Sequence, residues 1–256
     1  MKQVVQSERG LTSTSVFIFP YNRDNSVKDT PWVVAGLIII NSALLVLIWV
    51  SGPAETLFMK HGFTPAHPQM LTAFTSMFLH AGFWHLFGNM WFLWMFGNQV
   101  ENILGRWLFL LVYLACGFGG DFAHYIFNST STIPLVGASG AISGIAGCFF
   151  VLYPKANFDL IFYFGYVRLK TIHTYTSIAV GAWIGEQALL GLLSLKFQLF
   201  SVAFWAHVGG FAVGLLAGGI AALLMPKRKR MVLRRIRHRS LKTRISEADD
   251  GLRLKL

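Results

Sequence analysis

Val136-Gly137-Ala138-Ser139-Gly140-Ala141-Ile142-Ser143-Gly144 opens the apolar segment on which the reading of this chain turns. The run places a hydroxyl among small residues at the head of a long uncharged stretch. Away from water, such a hydroxyl needs a partner inside the protein. A partner stands far downstream: His207, in Trp205-Ala206-His207-Val208-Gly209-Gly210, also just inside the start of an apolar segment. A potential nucleophile and a potential base held within a membrane form a functional site by default. Whether the two meet depends on how the rest of the chain crosses.

The composition is that of a membrane protein. Of 256 residues, 54% are hydrophobic and 13% charged, with a mean hydropathy of +0.54; a soluble domain carries about 25% charged residues. The length suits one compact domain with short tails. Cys116 and Cys148 both lie in apolar runs without ligand spacing, so they read as packing residues rather than as a disulfide or a metal site.

Hydropathy divides the chain into three parts: a polar leader over 1–30, a core over 31–225 and a basic tail over 226–256. The leader lacks the apolar centre and cleavage site of a signal peptide, and reads as a short soluble cytoplasmic segment. Within the core, apolar segments at 31–50, 83–100, 107–127, 135–153, 175–195 and 200–225 predict six spans, each near the ~20 residues a bilayer requires. The expected fold is therefore an all-α membrane bundle of six transmembrane helices. Residues 52–82, rich in Phe, Met, Pro and His, are too polar to span and too apolar for a free loop, and are expected to lie in the interface. Residues 154–170 read as a mixed loop.

Six spans put both termini on one side, and charge chooses the side. Lys and Arg number 22, of which only Lys60 and Lys196 fall in the loops of the opposite face. Basic loops stay in the cytoplasm, so both termini are expected there. The net charge of +11 thus reads as an orientation signal, with the tail attracted to anionic membrane lipids. No aromatic residues interleave with the tail's charges, so no nucleic-acid partner is expected. The absence of a transit peptide favours a bacterial inner membrane.

In this topology the second, fourth and sixth spans all run inward. His85 and Asn89, four residues apart on the second span, share a helix face. They fall at the depth of Ser139 and His207, near the outer surface. Each has a use. Serine becomes a nucleophile when a neutral histidine takes its proton. Attack on a carbonyl builds charge on oxygen, which needs donors already aimed at it; His85, the Asn89 amide and the Ser139 backbone N–H are the candidates. No acidic residue lies near His207 in sequence, so a dyad is expected. Small residues at 206, 210, 214, 218 and 222, and at 139, 143 and 147, let helices approach closely in lipid.

These segments resemble the rhomboid family of intramembrane serine proteases. Gly137-Ala138-Ser139-Gly140 matches its GxSG motif, Ala206-His207 through Gly214 its AHxxGxxxG motif, and His80 through Asn89 its HxxxxHxxxN region. The resemblance covers about 31–225 and implies the basic six-span rhomboid-like form with a long, partly embedded first loop. It implies Ser139 as nucleophile, His207 as general base, and His85, Asn89 and the Ser139 backbone as oxyanion hole. Gly137 would let the substrate backbone approach, and His80 would be structural. The fifth span would belong to the substrate gate. A position four residues after the serine, aromatic in some members, is Ser143 here. Substrates would be single-span membrane proteins cut near the outer face, with no cofactor or metal.

Other readings are weaker. Asp121 suggests an aspartyl intramembrane protease, but that chemistry needs two membrane carboxylates and Asp159 falls in a cytoplasmic loop. His80 and His85 lack zinc spacing. Glu186, mid-span, is expected to be neutral and hydrogen-bonded to a neighbouring helix; with the buried histidines it could also serve a transporter's proton relay. Glu101 and Arg106 are expected to pair or to cap helix ends, and His124 has no assignable role. A non-catalytic relative that only binds transmembrane segments would be expected to lose the serine or the histidine; this chain keeps both.

Overall fold

A computed structural model describes residues 16–22, 30–164, 167–197 and 203–225. Among them are eight helices and three strands, in the order β1 (Val16–Asn22), α1 (Trp32–Ser51), α2 (Ala54–His61), α3 (Met70–Ser76), α4 (Phe83–Leu104), α5 (Arg106–Asn128), α6 (Ser139–Leu152), β2 (Asn157–Phe164), β3 (Val167–Tyr175), α7 (Thr176–Phe197) and α8 (Phe204–Leu224). The basic tail lies outside the described residues.

Four of these helices, α1, α5, α7 and α8, are long and apolar enough to cross a membrane. Two expected spans differ in kind. Helix α4 has the length, 22 residues, but carries Asn89, Asn98, Gln99 and Glu101, all buried against the bundle. Helix α6 has 14 residues, or about 21 Å of rise against a hydrocarbon core of about 30 Å. It begins at Ser139 rather than near 135 for two local reasons. Leu135 exchanges backbone hydrogen bonds with Phe63 at 2.7 and 3.0 Å. Gly137 then takes φ +129, which no helix continues through.

The bundle is organised around α6, which α4, α5 and α8 surround, and which is buried along nearly its whole length. Glycine makes this closeness possible. A methyl group at Gly210 would overlap the carbonyl of Gly140, and one at Gly214 the carbonyl of Gly144. On the other side of α8, a methyl at Gly209 would stand 2.5 Å from the Gly119 carbonyl of α5. These are backbone-to-backbone seams, the packing that small residues every fourth position permit in lipid. Away from them, Phe96, Phe109, Tyr113, Phe149 and Leu152 fill the interior with large side chains.

Glu101 fixes the entry of α1. No side chain of its own caps that helix; instead the Glu101 carboxylate accepts the N–H groups of Val33 at 3.0 Å and Val34 at 2.9 Å. This satisfies two donors that a helix start leaves free, and sets negative charge at the positive end of the helix dipole. The expected capping role for Glu101 is thus met, on a different helix from its own.

The fold is mostly helical, as expected, but not all-α. Strands β1, β2 and β3 form an antiparallel sheet, with Val16 opposite Phe164 at one end of the β1–β2 ladder and Asn22 opposite Phe158 at the other. Residues 16–22, read from sequence as free leader, are therefore held to the core, and 157–175 is a hairpin rather than an irregular loop. The sheet rests on α4: Phe158 stacks on Phe96 with rings 6.1 Å apart, and the Trp91 indole donates to the Pro20 carbonyl at 3.1 Å. Asp159 is engaged here, 2.8 Å from His173 Nδ1.

Candidate active site

The N-terminal ends of α4, α6 and α8 converge at one end of the bundle. Ser139 is the first residue of α6 and His207 lies in the first turn of α8. The seam that brings Gly140 against Gly210 also sets the side chains beside it: Ser139 Oγ lies 2.9 Å from His207 Nε2. Both residues are half-buried, so one side of the pair stays open.

The hydrogen bonds fix which nitrogen can act as base. His207 Nδ1 lies 2.7 Å from Gln187 Oε1 of α7, an oxygen that can only accept. The ring proton therefore sits on Nδ1, and Nε2 presents a lone pair to the serine hydroxyl. Ser143 Oγ donates to the His207 backbone carbonyl at 2.6 Å, tying α6 to the turn of α8 that carries His207.

A second cluster faces Ser139. The Gly137 N–H donates to the Ser76 carbonyl at 2.9 Å, holding the approach to Ser139 against the end of α3. Directly over Gly137 lies the His85 ring: a Cβ there would stand 2.8 Å from both Cε1 and Nε2, and 3.8 Å from Asn89 Nδ2. Gly137 is thus required twice, by its positive φ and by the imidazole above it. The space that a side chain would take at this position is filled by the His85 ring. The Ala81 N–H faces His85 Nδ1 at 3.4 Å, which leaves the ring proton on Nε2, the nitrogen over Gly137. The Asn89 amide donates one hydrogen to the His85 carbonyl at 3.0 Å and keeps the other. The N–H of Ser139 belongs to the first turn of α6, where backbone donors have no intrahelical acceptor. Three donors on two helices therefore stand around the serine, the arrangement that can hold a developing oxyanion.

His80, in the loop before α4, packs edge-on against His85 with rings 5.2 Å apart. Burial, and the nearby His85, lower its pKa to about 3, so it stays a neutral wall for that ring. Beneath the serine is a small hollow lined by Met77, Gly117, Asp121, Gly137, Ser139 and Ala206. Asp121 is buried there, its Oδ2 3.4 Å from Ser76 Oγ. No second carboxylate accompanies it among the described residues, and no group of His, Cys, Asp or Glu among them is arranged to hold a metal.

Sequence reasoning singled out Ser139, His207, His85, Asn89 and Gly137, and the structure brings all five together. It passed over Gln187 in favour of its neighbour. Glu186 is exposed and its side chain has no hydrogen bond among the described residues, whereas Gln187 is the buried member of the pair. The signal was present in the spacing: Trp183 and Gln187, four apart on α7, share the face turned to His207, with the Trp183 ring 5.9 Å from the imidazole. His124 bonds its neighbour Asn128 within α5.

Comparison with known proteins agrees with this geometry. A family model described as the rhomboid domain matches residues 67–223, a stretch that contains every residue of the site. The Rhomboid protease GluP of Bacillus subtilis is 30% identical over 225 residues, which is 87% of this chain and 39% of that protein. Rhomboid protein 1, mitochondrial, of Saccharomyces cerevisiae is 30% identical over 60% of this chain and 42% of its own length. The mouse Presenilin-associated rhomboid-like protein, mitochondrial, is 29% identical over 75% of this chain and 49% of its own length. The chain thus spans less than half the length of each of these relatives, and they include mitochondrial proteins as well as a bacterial one. With a serine and a histidine joined across a glycine seam, and a matching domain that covers more than half the sequence, the chain belongs to the rhomboid family of membrane proteins.

Proposed function

We propose that this protein is an intramembrane serine endopeptidase that cuts single-span membrane proteins near the outer face of the membrane. The observation that carries the reading is the 2.9 Å approach of Ser139 Oγ to His207 Nε2, with the tautomer that leaves Nε2 free to accept. In the reaction, Nε2 takes the Ser139 proton as Oγ attacks the scissile carbonyl. The oxyanion is held by His85 Nε2–H, the Asn89 amide and the Ser139 N–H. Collapse returns the proton from His207 to the leaving amine and leaves an acyl-enzyme. Water then enters from the open side of the pair and attacks the acyl carbon as His207 takes its proton; the acid leaves as the bond to Ser139 Oγ breaks and His207 returns that proton to the serine. No cofactor takes part.

On this reading α1, α4, α5, α6, α7 and α8 are the six spans. Helix α6 is shielded from lipid by its neighbours, which allows it to be short, and α4 turns its polar residues to the bundle while Phe83, Trp84, Phe87 and Trp94 face outward. The basic segments face the cytoplasm, as do both termini of the chain, with the tail against anionic lipid. Residues 31–225 form the protease unit. The charge asymmetry supports this orientation, and the mitochondrial names among the relatives count against the expected bacterial inner membrane. Substrates would carry small or helix-weakening residues at the cut, because the hollow under Ser139 is cramped and an unwound strand is needed there.

The test is cleavage of a single-span reporter by the purified protein in detergent, beside Ser139→Ala and His207→Ala. Activity in the wild type that falls by about four orders of magnitude in both variants supports the proposal. A wild type that binds the reporter without ever cutting it supports the alternative, a non-catalytic protein that holds transmembrane segments.

A further inference from the structure

Helix α6 offers no ring to hold the imidazole of His207. Ser143, four residues after Ser139 on that helix, spends its hydroxyl on the His207 carbonyl at 2.6 Å. The backbone of the base is thus fixed, but the ring must be oriented from elsewhere. The described residues offer one polar contact to Nδ1, the 2.7 Å bond to Gln187 Oε1. Gln187 is itself only 8% exposed, so its carbonyl is not shared with bulk water. Trp183, one turn earlier on α7, flanks the same ring.

We propose that Gln187 is the positioning residue of the base: its side-chain carbonyl holds His207 in the Nδ1–H tautomer and aims Nε2 at Ser139, making the site a Ser139–His207–Gln187 relay. The proposal rests on the Ser–His reading above. A neutral imidazole carries one proton, and if it moves to Nε2 the ring becomes a donor toward Ser139 and cannot act as base. A neutral amide suits this task in a membrane, since it accepts a hydrogen bond without bringing a charge that would have to be buried. It also means that the base is aligned by a helix different from those carrying the nucleophile and the oxyanion donors.

The readout is the rate at which a fluorophosphonate acylates Ser139, followed by intact mass across pH, in wild type, Gln187→Leu and Gln187→Glu. Labelling of the wild type that is lost in Ser139→Ala establishes the dyad first, so failure of that reading is seen separately. Removing a partner that orients a reacting group costs about 10- to 100-fold, and that is the expected fall for Gln187→Leu, among molecules shown to be folded by their melting curve. The two variants should also move the acidic limb of the pH profile in opposite directions. Losing the acceptor disfavours the imidazolium and moves the limb to lower pH. A carboxylate favours the imidazolium and moves it to higher pH, while restoring the rate above the limb to within a few-fold of wild type. The other ionisable groups around His207 are His85 of α4, His124 of α5, Asp121 beneath Ser139 and Glu186 beside Gln187. They are unchanged in all three proteins, so the difference between profiles belongs to position 187. Wild-type rates with an unmoved limb in Gln187→Leu would overturn the proposal. So would a rate loss matched by a loss of folded protein, with the limb unmoved in both variants.

Discussion

Helix α8 meets its neighbours in two different ways. Toward α6 it presents Gly210 and Gly214, each pressed against a carbonyl with no room for a methyl group. Toward α7 it presents side chains, and of the four long apolar helices α7 is the least enclosed. The first contact is between backbones and has one solution. The second is between side chains and can adjust. Ser139 and His207 are brought together by the first, and the His207 ring meets Gln187 and Trp183 across the second. Distance in this site is set by the rigid contact and direction by the softer one.

The sharpest way to break this contrast is to put a methyl group into each region. Gly214→Ala forces a Cβ into the Gly144 carbonyl, which cannot move without breaking α6. A loss of about 3 kcal/mol, the upper end for overpacking, is expected in unfolding measurements in detergent, together with loss of cleavage. A melting temperature equal to wild type would mean that the seam is looser than described. Glu101→Ala tests a rigid contact at the opposite end of the bundle. It strips two N–H acceptors from the start of α1 and should cost about 1–2 kcal/mol, while Glu101→Gln, which keeps an acceptor, should lose less. The smallest effect belongs to α7. A methyl group added at Gly185 would meet nothing within 4 Å, so Gly185→Ala should stabilise by about 0.5–1 kcal/mol through helix propensity alone. A large destabilisation there would show that α7 is as tightly seated as α6.

The same contrast explains what could be read from the sequence. Ser139, His207, His85 and Asn89 were legible because each lies at a fixed distance from a span end, and inward-running spans carry such positions to one depth. The glycine rows were legible from their spacing of four. Orientation was not. Glu186 and Gln187 are adjacent polar residues on one helix, and only the packing of α7 decides that the second faces His207. The sheet was hidden for a different reason. Val16–Asn22 finds its partner Asn157–Phe164 across the intervening helices, and no local pattern announces so distant a pairing. Both segments are rich in aromatic and aliphatic residues, but each is short and sits within a stretch that reads as polar leader or mixed loop. The late start of α6 relative to the expected fourth span comes from Gly137, whose positive φ goes with the His85 ring above it and the Ser76 carbonyl beside it.

The central claim is that Ser139 is a nucleophile made reactive by His207, and covalent trapping tests it without knowledge of the natural substrate. The purified protein is treated with a fluorophosphonate and its intact mass is measured beside Ser139→Ala and His207→Ala. One adduct per wild-type chain, located at Ser139, absent from Ser139→Ala and slowed at least about a hundredfold in His207→Ala, is the predicted result. An adduct that persists in Ser139→Ala, or one that forms at the wild-type rate in His207→Ala, would contradict the account.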